Sequence, residues 1–164
     1  MSESNESVRV LFVCTGNICR SPTAHAVFRE RVRAAGLAAR IDVDSAGTHG
    51  YHVGQAPDRR AREAAAQRGY ELGDLRARQV DPADLMTYDY VLAMDGLNLS
   101  ALEAIAVPDC RAEIARLLDY VAEAAGQDVP DPYYGARNGF EEVLDLVESG
   151  ADRLLAHVRA RHGL

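Results

Sequence analysis

The chain has 164 residues, 48% of them hydrophobic and 26% charged, and a net charge of −7. That length suits one domain that buries roughly 70% of its unfolded surface without disulfide or metal staples. The acidic balance disfavours nucleic acid as a partner, and no apolar run approaches the ~20 residues of a membrane span. Two of the three cysteines share one short loop, which points to reactive thiols in a reducing compartment and not to a disulfide frame. Residues 1–7 are polar and acidic; they are expected to form a flexible tail, without a signal-peptide pattern, ahead of a domain over 8–164.

The apolar run Val8 to Val13 reads as a strand and leads into Cys14-Thr15-Gly16-Asn17-Ile18-Cys19-Arg20-Ser21-Pro22, after which helical spacing begins. A strand, a tight loop and a helix start in that order aim several backbone N–H groups, together with the positive end of a helix dipole, at one point. Arg20 adds a planar fork of donors for two oxygens of a tetrahedral anion. Cys14 opens the loop, where the same field favours a thiolate, lowering an ordinary pKa of about 8.5 to about 3.5–7.5. Gly16 and Asn17 tolerate the left-handed backbone such a loop demands, Ser21 can cap the helix, and Pro22 fits its first position.

The helix is predicted over Pro22–Ala35, with Ala26, Val27, Val32 and Ala35 on its apolar side and Gly36 as its stop. His25 is placed on its surface. Arg40–Ser45 alternates and reads as a short strand. Residues 46–57 form a glycine-bearing loop, where His49 and His52 read as solvated histidines and not metal ligands. Asp58–Arg68 is a second helix closed by Gly69, and Asp81–Leu85 a short capped one. Tyr88–Met94 is a strand and Leu97–Ile105 a helix, while Ala112–Ala125 fits either a helix or a strand with flanking turns. Residues 127–135 form a loop carrying Asp131-Pro132-Tyr133-Tyr134. Asn138 and Glu141 then make a capping box for a last helix to about His157, with Phe140, Val143, Leu144, Val147, Leu154, Leu155 and Val158 buried. Alternating strands and helices imply an α/β fold, a single doubly wound domain whose parallel sheet is flanked by helices on both faces. Ligands in such sheets bind at the carboxyl ends of the strands, where Cys14 stands.

The loop Val13–Pro22, with Asp131-Pro132-Tyr133-Tyr134-Gly135 near the C-terminus, resembles the low-molecular-weight protein tyrosine phosphatases. Asp44-Ser45-Ala46-Gly47, Val53-Gly54, Ala77-Arg78-Gln79-Val80 and Tyr88–Asp95 follow as further family-like segments in order. The resemblance implies a four-stranded sheet with the phosphate loop after the first strand, and hydrolysis of phosphotyrosine and small aryl phosphates without a cofactor or metal. It implies Cys14 as the nucleophile that becomes a phosphocysteine, Arg20 as the group that binds phosphate and transition state, and Asp131 as general acid and then base. Thr15, Gly16, Asn17, Ile18, Cys19 and Ser21 complete the phosphate loop. Asn17 and Ser45 match a pair supporting that loop, and Ser21 a hydroxyl that hydrogen-bonds the thiolate. The chemistry agrees: a phenol with a pKa of about 10 leaves poorly unless it is protonated as the P–O bond breaks.

The resemblance places Ile18, Tyr51, Tyr133 and Tyr134 at a deep substrate cleft, with Tyr51 and Tyr133 as its walls; Tyr134 is otherwise packing or a regulatory site. Ile18 replaces the smaller threonine of relatives that dephosphorylate arginine. Cys19 is either a small packing residue or a redox partner that captures oxidised Cys14 as a disulfide; Cys110 is an incidental thiol. Leu75 falls where many relatives carry histidine, which puts a supporting network there in doubt. Three alternatives remain: a phosphoarginine phosphatase, opposed by Ile18 and the tyrosine pair; an arsenate reductase, opposed by the absence of relay cysteines in residues 70–90; and a phosphocysteine carrier or phosphate-binding module, opposed by Asp131. The expected partner is a phosphotyrosine protein, such as a bacterial tyrosine kinase, with no nucleic acid or membrane. The chain is expected to be a monomer or weak dimer, cytoplasmic unless secreted without a signal peptide. Its alanine- and arginine-rich composition suggests a GC-rich bacterial genome.

Overall fold

The structure, a computed structural model, describes residues 7–133 and 138–164. Its regular elements are β1 Val8–Cys14, α1 Arg20–Ala34, β2 Ile41–Gly47, α2 Arg59–Gln67, α3 Asp84–Thr87, β3 Tyr90–Ala93, α4 Gly96–Ile105, β4 Glu113–Arg116 and α5 Asn138–His162. The strands form one four-stranded sheet in the order β2-β1-β3-β4, and every pairing is parallel. Among the described residues no helix is long and apolar enough to cross a membrane.

The continuous apolar run of β1 follows from its central place in a sheet covered on both faces. Val8, Val10, Phe12 and Cys14 face the larger core with Tyr90, Leu92 and Met94, under α1 and α5. Leu11 and Val13 face the other side with Val91, Ala93, Leu85 and Leu102, under α3 and α4. Phe12 meets Phe28 of α1 edge to face, with ring centroids 5.5 Å apart. On α5 the buried set is Phe140, Val143, Leu144, Val147, Ala151, Leu154 and Val158. Leu155 is only partly buried, and the helix continues past His157 to His162.

Residues 112–125 resolve as strand β4 followed by two short 3₁₀ turns, because Ile114 and Ala115 pair with Val91 and Leu92 of β3. α1 begins two residues before Pro22. Cys19 stands at its N-cap without a side-chain cap, and Ser21 lies inside the first turn. Pro22 is tolerated there because first-turn N–H groups have no helical acceptor. The short capped helix begins at Asp84, later than expected. The Asn138 side chain expected in a capping box lies outside the described residues, as does the N-terminal tail through residue 6.

The sheet register sets the ends of β1 and β2 side by side, with Cys14 opposite Gly47. Beyond that point the two loops stay joined: Thr48 N–H donates to Cys14 O (2.9 Å) and His49 N–H to Thr15 O (3.0 Å). Gly47 allows this approach, because a Cβ there would stand 2.7 Å from Thr15 O and 3.1 Å from Asn17 N. Both are backbone atoms, so relief requires the 15–19 loop itself to move. Gly47→Ala is therefore expected to cost about 1–3 kcal/mol in urea unfolding and to weaken inhibition by inorganic phosphate. Unchanged values of both would show that the contact is not tight.

Candidate active site

β1 delivers Cys14 to the carboxyl edge of the sheet, and the loop after it turns into α1 within five residues. Asn17 makes the turn with φ of 58°, the one non-glycine positive φ among the described residues. Its side chain holds the turn: Oδ1 accepts from Arg78 N–H (3.0 Å) and Nδ2 donates to Ser21 Oγ (2.8 Å). Ser21 Oγ lies 3.0 Å from Cys14 Sγ and 3.3 Å from the Ala46 carbonyl. The helix-capping role open to Ser21 is thus replaced by contacts to the sulfur and to β2. The N–H groups of Gly16, Asn17, Ile18 and Cys19 donate to no acceptor among the described residues, which leaves a row of donors beside the sulfur for an anion.

Arg20 is 2% exposed despite its charge. Nη1 donates to Asp95 Oδ2 (2.6 Å) and the Val129 carbonyl (3.1 Å), whereas Nη2 reaches Thr15 Oγ1 (3.3 Å) and lies 3.5 Å from Asp131 Oδ2. Burial opposes its charge, but the Cys14 sulfur and the carboxylates of Asp95 and Asp131 outweigh that and hold the guanidinium protonated. Asp131 sits on a loop without regular structure, its side chain 46% exposed, with Oδ1 accepting from Tyr133 N–H at 3.0 Å. Cys14, Arg20 and Asp131 share a cavity of about 230 Å³ with Thr15, Gly16, Ile18 and Cys19 at its base and His49, Tyr51, His52 and Tyr133 around it. Tyr134 lies outside the described residues.

Cys14 and Cys19 are both buried free thiols. Burial, then Asp58, Cys14 and Asp131, push the Cys19 thiol far above its usual range, and Arg60 opposes them. Cys110 is a half-buried free thiol against the Ala112 carbonyl. Among the described residues no three His, Cys, Asp or Glu side chains are grouped to hold a metal ion. His52 Nδ1 instead meets Gln55 Oε1 (3.0 Å), and His49 stacks on Tyr51 with centroids 5.5 Å apart.

Ser45 and Asn17 are coupled through intermediaries. Asn17 contacts Ser21, Ser21 contacts the carbonyl next to Ser45, and the Ser45 hydroxyl pairs with His25 Nδ1 at 3.0 Å. His25 was expected on the helix surface, but it is 6% exposed, because its face of α1 packs on β2. Leu75 is buried in the core on this side of the sheet. Further residues close the site. Asp95 caps α4 through Asn98 N–H while holding Arg20, and Asn98 Nδ2 donates to Thr15 Oγ1 (3.1 Å). Asp58 caps α2 and its own N–H donates to Ile18 O (2.8 Å). The signal available in the sequence was an aspartate just before each helix, which announces a cap and not its second partner.

The sequence pattern of the low molecular weight phosphotyrosine protein phosphatases matches residues 9–163. A low molecular weight protein-tyrosine-phosphatase of Streptomyces coelicolor is 50% identical over 154 residues, covering 92% of this chain and 93% of its own. The Bacillus subtilis enzyme YfkJ is 43% identical over 93% of this chain and 96% of its own. Its crystal structure superposes with a TM-score of 0.88 over 94% of this chain and 96% of that one. A Drosophila arginine phosphatase shares the fold at 32% identity, with a TM-score of 0.85 over 92% and 97% of the two chains. The chain therefore belongs to the low molecular weight phosphotyrosine protein phosphatase family.

Burial lowers the His25 pKa to about 4, with Arg29 in the same sense and Asp44 and Asp74 opposing. An unfolded histidine titrates near about 6.5, so the unfolded chain takes the proton first as pH falls. Above that pH His25 leaves stability unchanged; from about 6.5 down to about 4 it removes up to about 1.4 kcal/mol per pH unit. Urea unfolding of the wild type should lose stability more steeply over this window than that of His25→Gln. Parallel curves would refute the assignment.

Proposed function

We propose that the protein hydrolyses phosphotyrosine, and small aryl phosphates, through a phosphocysteine intermediate. The observation that carries this reading is one small cavity in which Cys14 Sγ, the cavity-side nitrogen of Arg20 and the Asp131 carboxylate converge. The Cys14 thiolate attacks phosphorus while the phenolic oxygen departs. The loop N–H groups and Arg20 receive the negative charge spread over the three equatorial oxygens. Asp131, protonated at the start, gives its proton to the leaving phenolate. The resulting carboxylate takes a proton from a water that attacks the phosphocysteine, which releases inorganic phosphate and restores the thiolate. Ser21, 3.0 Å from the sulfur, stabilises the thiolate both as nucleophile and as leaving group. Asn17 and Ser45 support the loop behind it.

An aryl substrate fits a cavity with Ile18 at its base and Tyr51 and Tyr133 beside it, and Tyr51, 82% exposed, can lie along a substrate ring. The arginine phosphatase among the structural relatives is the reason to keep phosphoarginine as the second reading. Ile18 at the cavity base works against it. The physiological partner in this reading is a phosphotyrosine protein, such as a tyrosine kinase, met by a monomer or weak dimer in a reducing cytoplasm.

Cys14→Ser should abolish turnover of p-nitrophenyl phosphate while phosphate binding persists; retained turnover would reject the nucleophile. Asp131→Asn should lower kcat/KM for phosphotyrosine by about 10²–10⁴, and by much less for a phenol acidic enough to leave unaided. Equal losses would reject the acid.

Cys19 serves in this reading as the thiol that rescues oxidised Cys14. Peroxide converts the Cys14 thiolate to a sulfenic acid; the Cys19 thiol attacks that sulfur and gives up its proton to the departing hydroxide, which leaves as water as the disulfide forms. Thiol reduction should restore activity after mild peroxide, with a Cys14–Cys19 bridge in peptide maps. A wild-type map lacking that bridge would reject this role.

A further inference from the structure

Two loops must stand in register for this chemistry. One holds the phosphate and the other carries Asp131, and they lie more than a hundred residues apart in the chain. The Asp131 loop is anchored where it begins: Val129 N–H donates to Met94 O (2.7 Å), and Val129 O accepts from Arg20. Just beyond Asp131, Arg60 Nη2 donates to the Tyr133 carbonyl at 2.9 Å. The Arg60 guanidinium also lies over the rings of Tyr133 (5.6 Å) and Phe140 (4.9 Å).

Asp58 grips the guanidinium in turn, with Oδ1 3.1 Å from Nε and Oδ2 3.1 Å from Nη2. The Asp58 N–H is bonded to Ile18 O in the phosphate loop. The path is short. It runs from Ile18 through Asp58 and Arg60 to Tyr133, whose N–H holds Asp131 Oδ1.

We infer that Arg60, oriented by Asp58, is a positioning residue that fixes the Asp131 carboxyl over the phosphate loop. The inference rests on the reading of Asp131 as the general acid. Arg60 does not line the cavity that holds Cys14, Arg20 and Asp131. It fixes the spacing between the acid and the leaving oxygen, to which proton transfer is sensitive on the scale of 1 Å. The task needs an arginine, because one planar group must grip a carboxylate, donate to a carbonyl and lie over two rings. A lysine retains the charge alone.

The test compares kcat/KM for phosphotyrosine and for p-nitrophenyl phosphate, whose leaving group needs protonation less. Arg60→Ala and Arg60→Lys are measured alone, and Arg60→Ala also in an Asp131→Asn background. Both single variants should lose about tenfold more activity on phosphotyrosine than on p-nitrophenyl phosphate, with inhibition by inorganic phosphate unchanged. In the Asp131→Asn background Arg60→Ala should add less than about a twofold loss, since nothing remains to be positioned. Equal losses on both substrates, weakened phosphate inhibition, or a full further loss in that background would overturn the positioning role. If Asp131→Asn alone shows no leaving-group dependence, the general-acid reading falls instead, and the inference with it.

Discussion

A guanidinium buried at the mouth of a parallel sheet is the constraint around which this structure is arranged. Moving an unpaired charge out of water costs several kcal/mol even after the protein relaxes. Arg20 is supportable only because three separate parts of the chain supply acceptors. Asp95 comes from the turn after β3, Val129 from the stretch before Asp131, and Thr15 from the loop after Cys14. The fold must bring these together for the arginine to be buried at all, so its burial couples the sheet, α4 and the Asp131 loop. The nitrogen satisfied by Asp95 and Val129 is spent on structure. The other, near Thr15 and Asp131, is turned to the cavity. One side chain thus fixes the site and serves it.

That division changes the electrostatics. Asp95 offsets the Arg20 charge at 2.6 Å, and the whole protein carries −7. Neither a net positive protein nor a free arginine explains attraction for a dianion. The remaining source is the curled backbone after Cys14 and the start of α1, whose N–H groups point their partial charge into a small volume. Such a field falls off within a few ångströms, so it selects for an anion already seated and does little to draw one from a distance. The strained turn at Asn17 is what brings those groups together, and this is why its side chain is fastened on both ends.

The family and the loop geometry were legible in the sequence because the residues that carry them lie in contiguous stretches. Cys14 through Ser21 spans a single strand-loop-helix unit, and the apolar run of β1 could come only from a strand covered on both faces. Asp131 was legible through its family-like neighbours, although nothing in its spacing placed it over the cavity. What escaped were side chains whose roles depend on distant partners. Asp58 was placed inside its helix and Asp95 was given no role; both cap helices, and each has a second contact set by tertiary packing. Arg60 is one arginine among several on its helix, and only the meeting of α2 with the Asp131 loop sets it apart. His25 was misplaced because the first half of α1, Arg20 to Phe28, is buried on every side, so one periodic apolar face did not mark what is covered. The 112–125 segment was ambiguous for the opposite reason: a short strand is decided by its partner, here β3, and not by its own pattern.

The buried His25–Ser45 contact completes a line of small polar groups running back from the sulfur. Ser21 sits between Cys14, Asn17 and the Ala46 carbonyl; Ser45 is next in the strand, and His25 lies against it. A serine hydroxyl has a single hydrogen to give. With Asn17 donating to Ser21, that hydrogen is free to point at the sulfur or at Ala46. A negative sulfur attracts it, and in the proposed phosphocysteine the sulfur does not. The Ala46 carbonyl is then the alternative acceptor, close enough that the hydroxyl turns without leaving its place. Keeping that carbonyl still matters for both settings. A neutral imidazole packed on the adjacent residue holds the strand end without adding a charge that would compete for the anion.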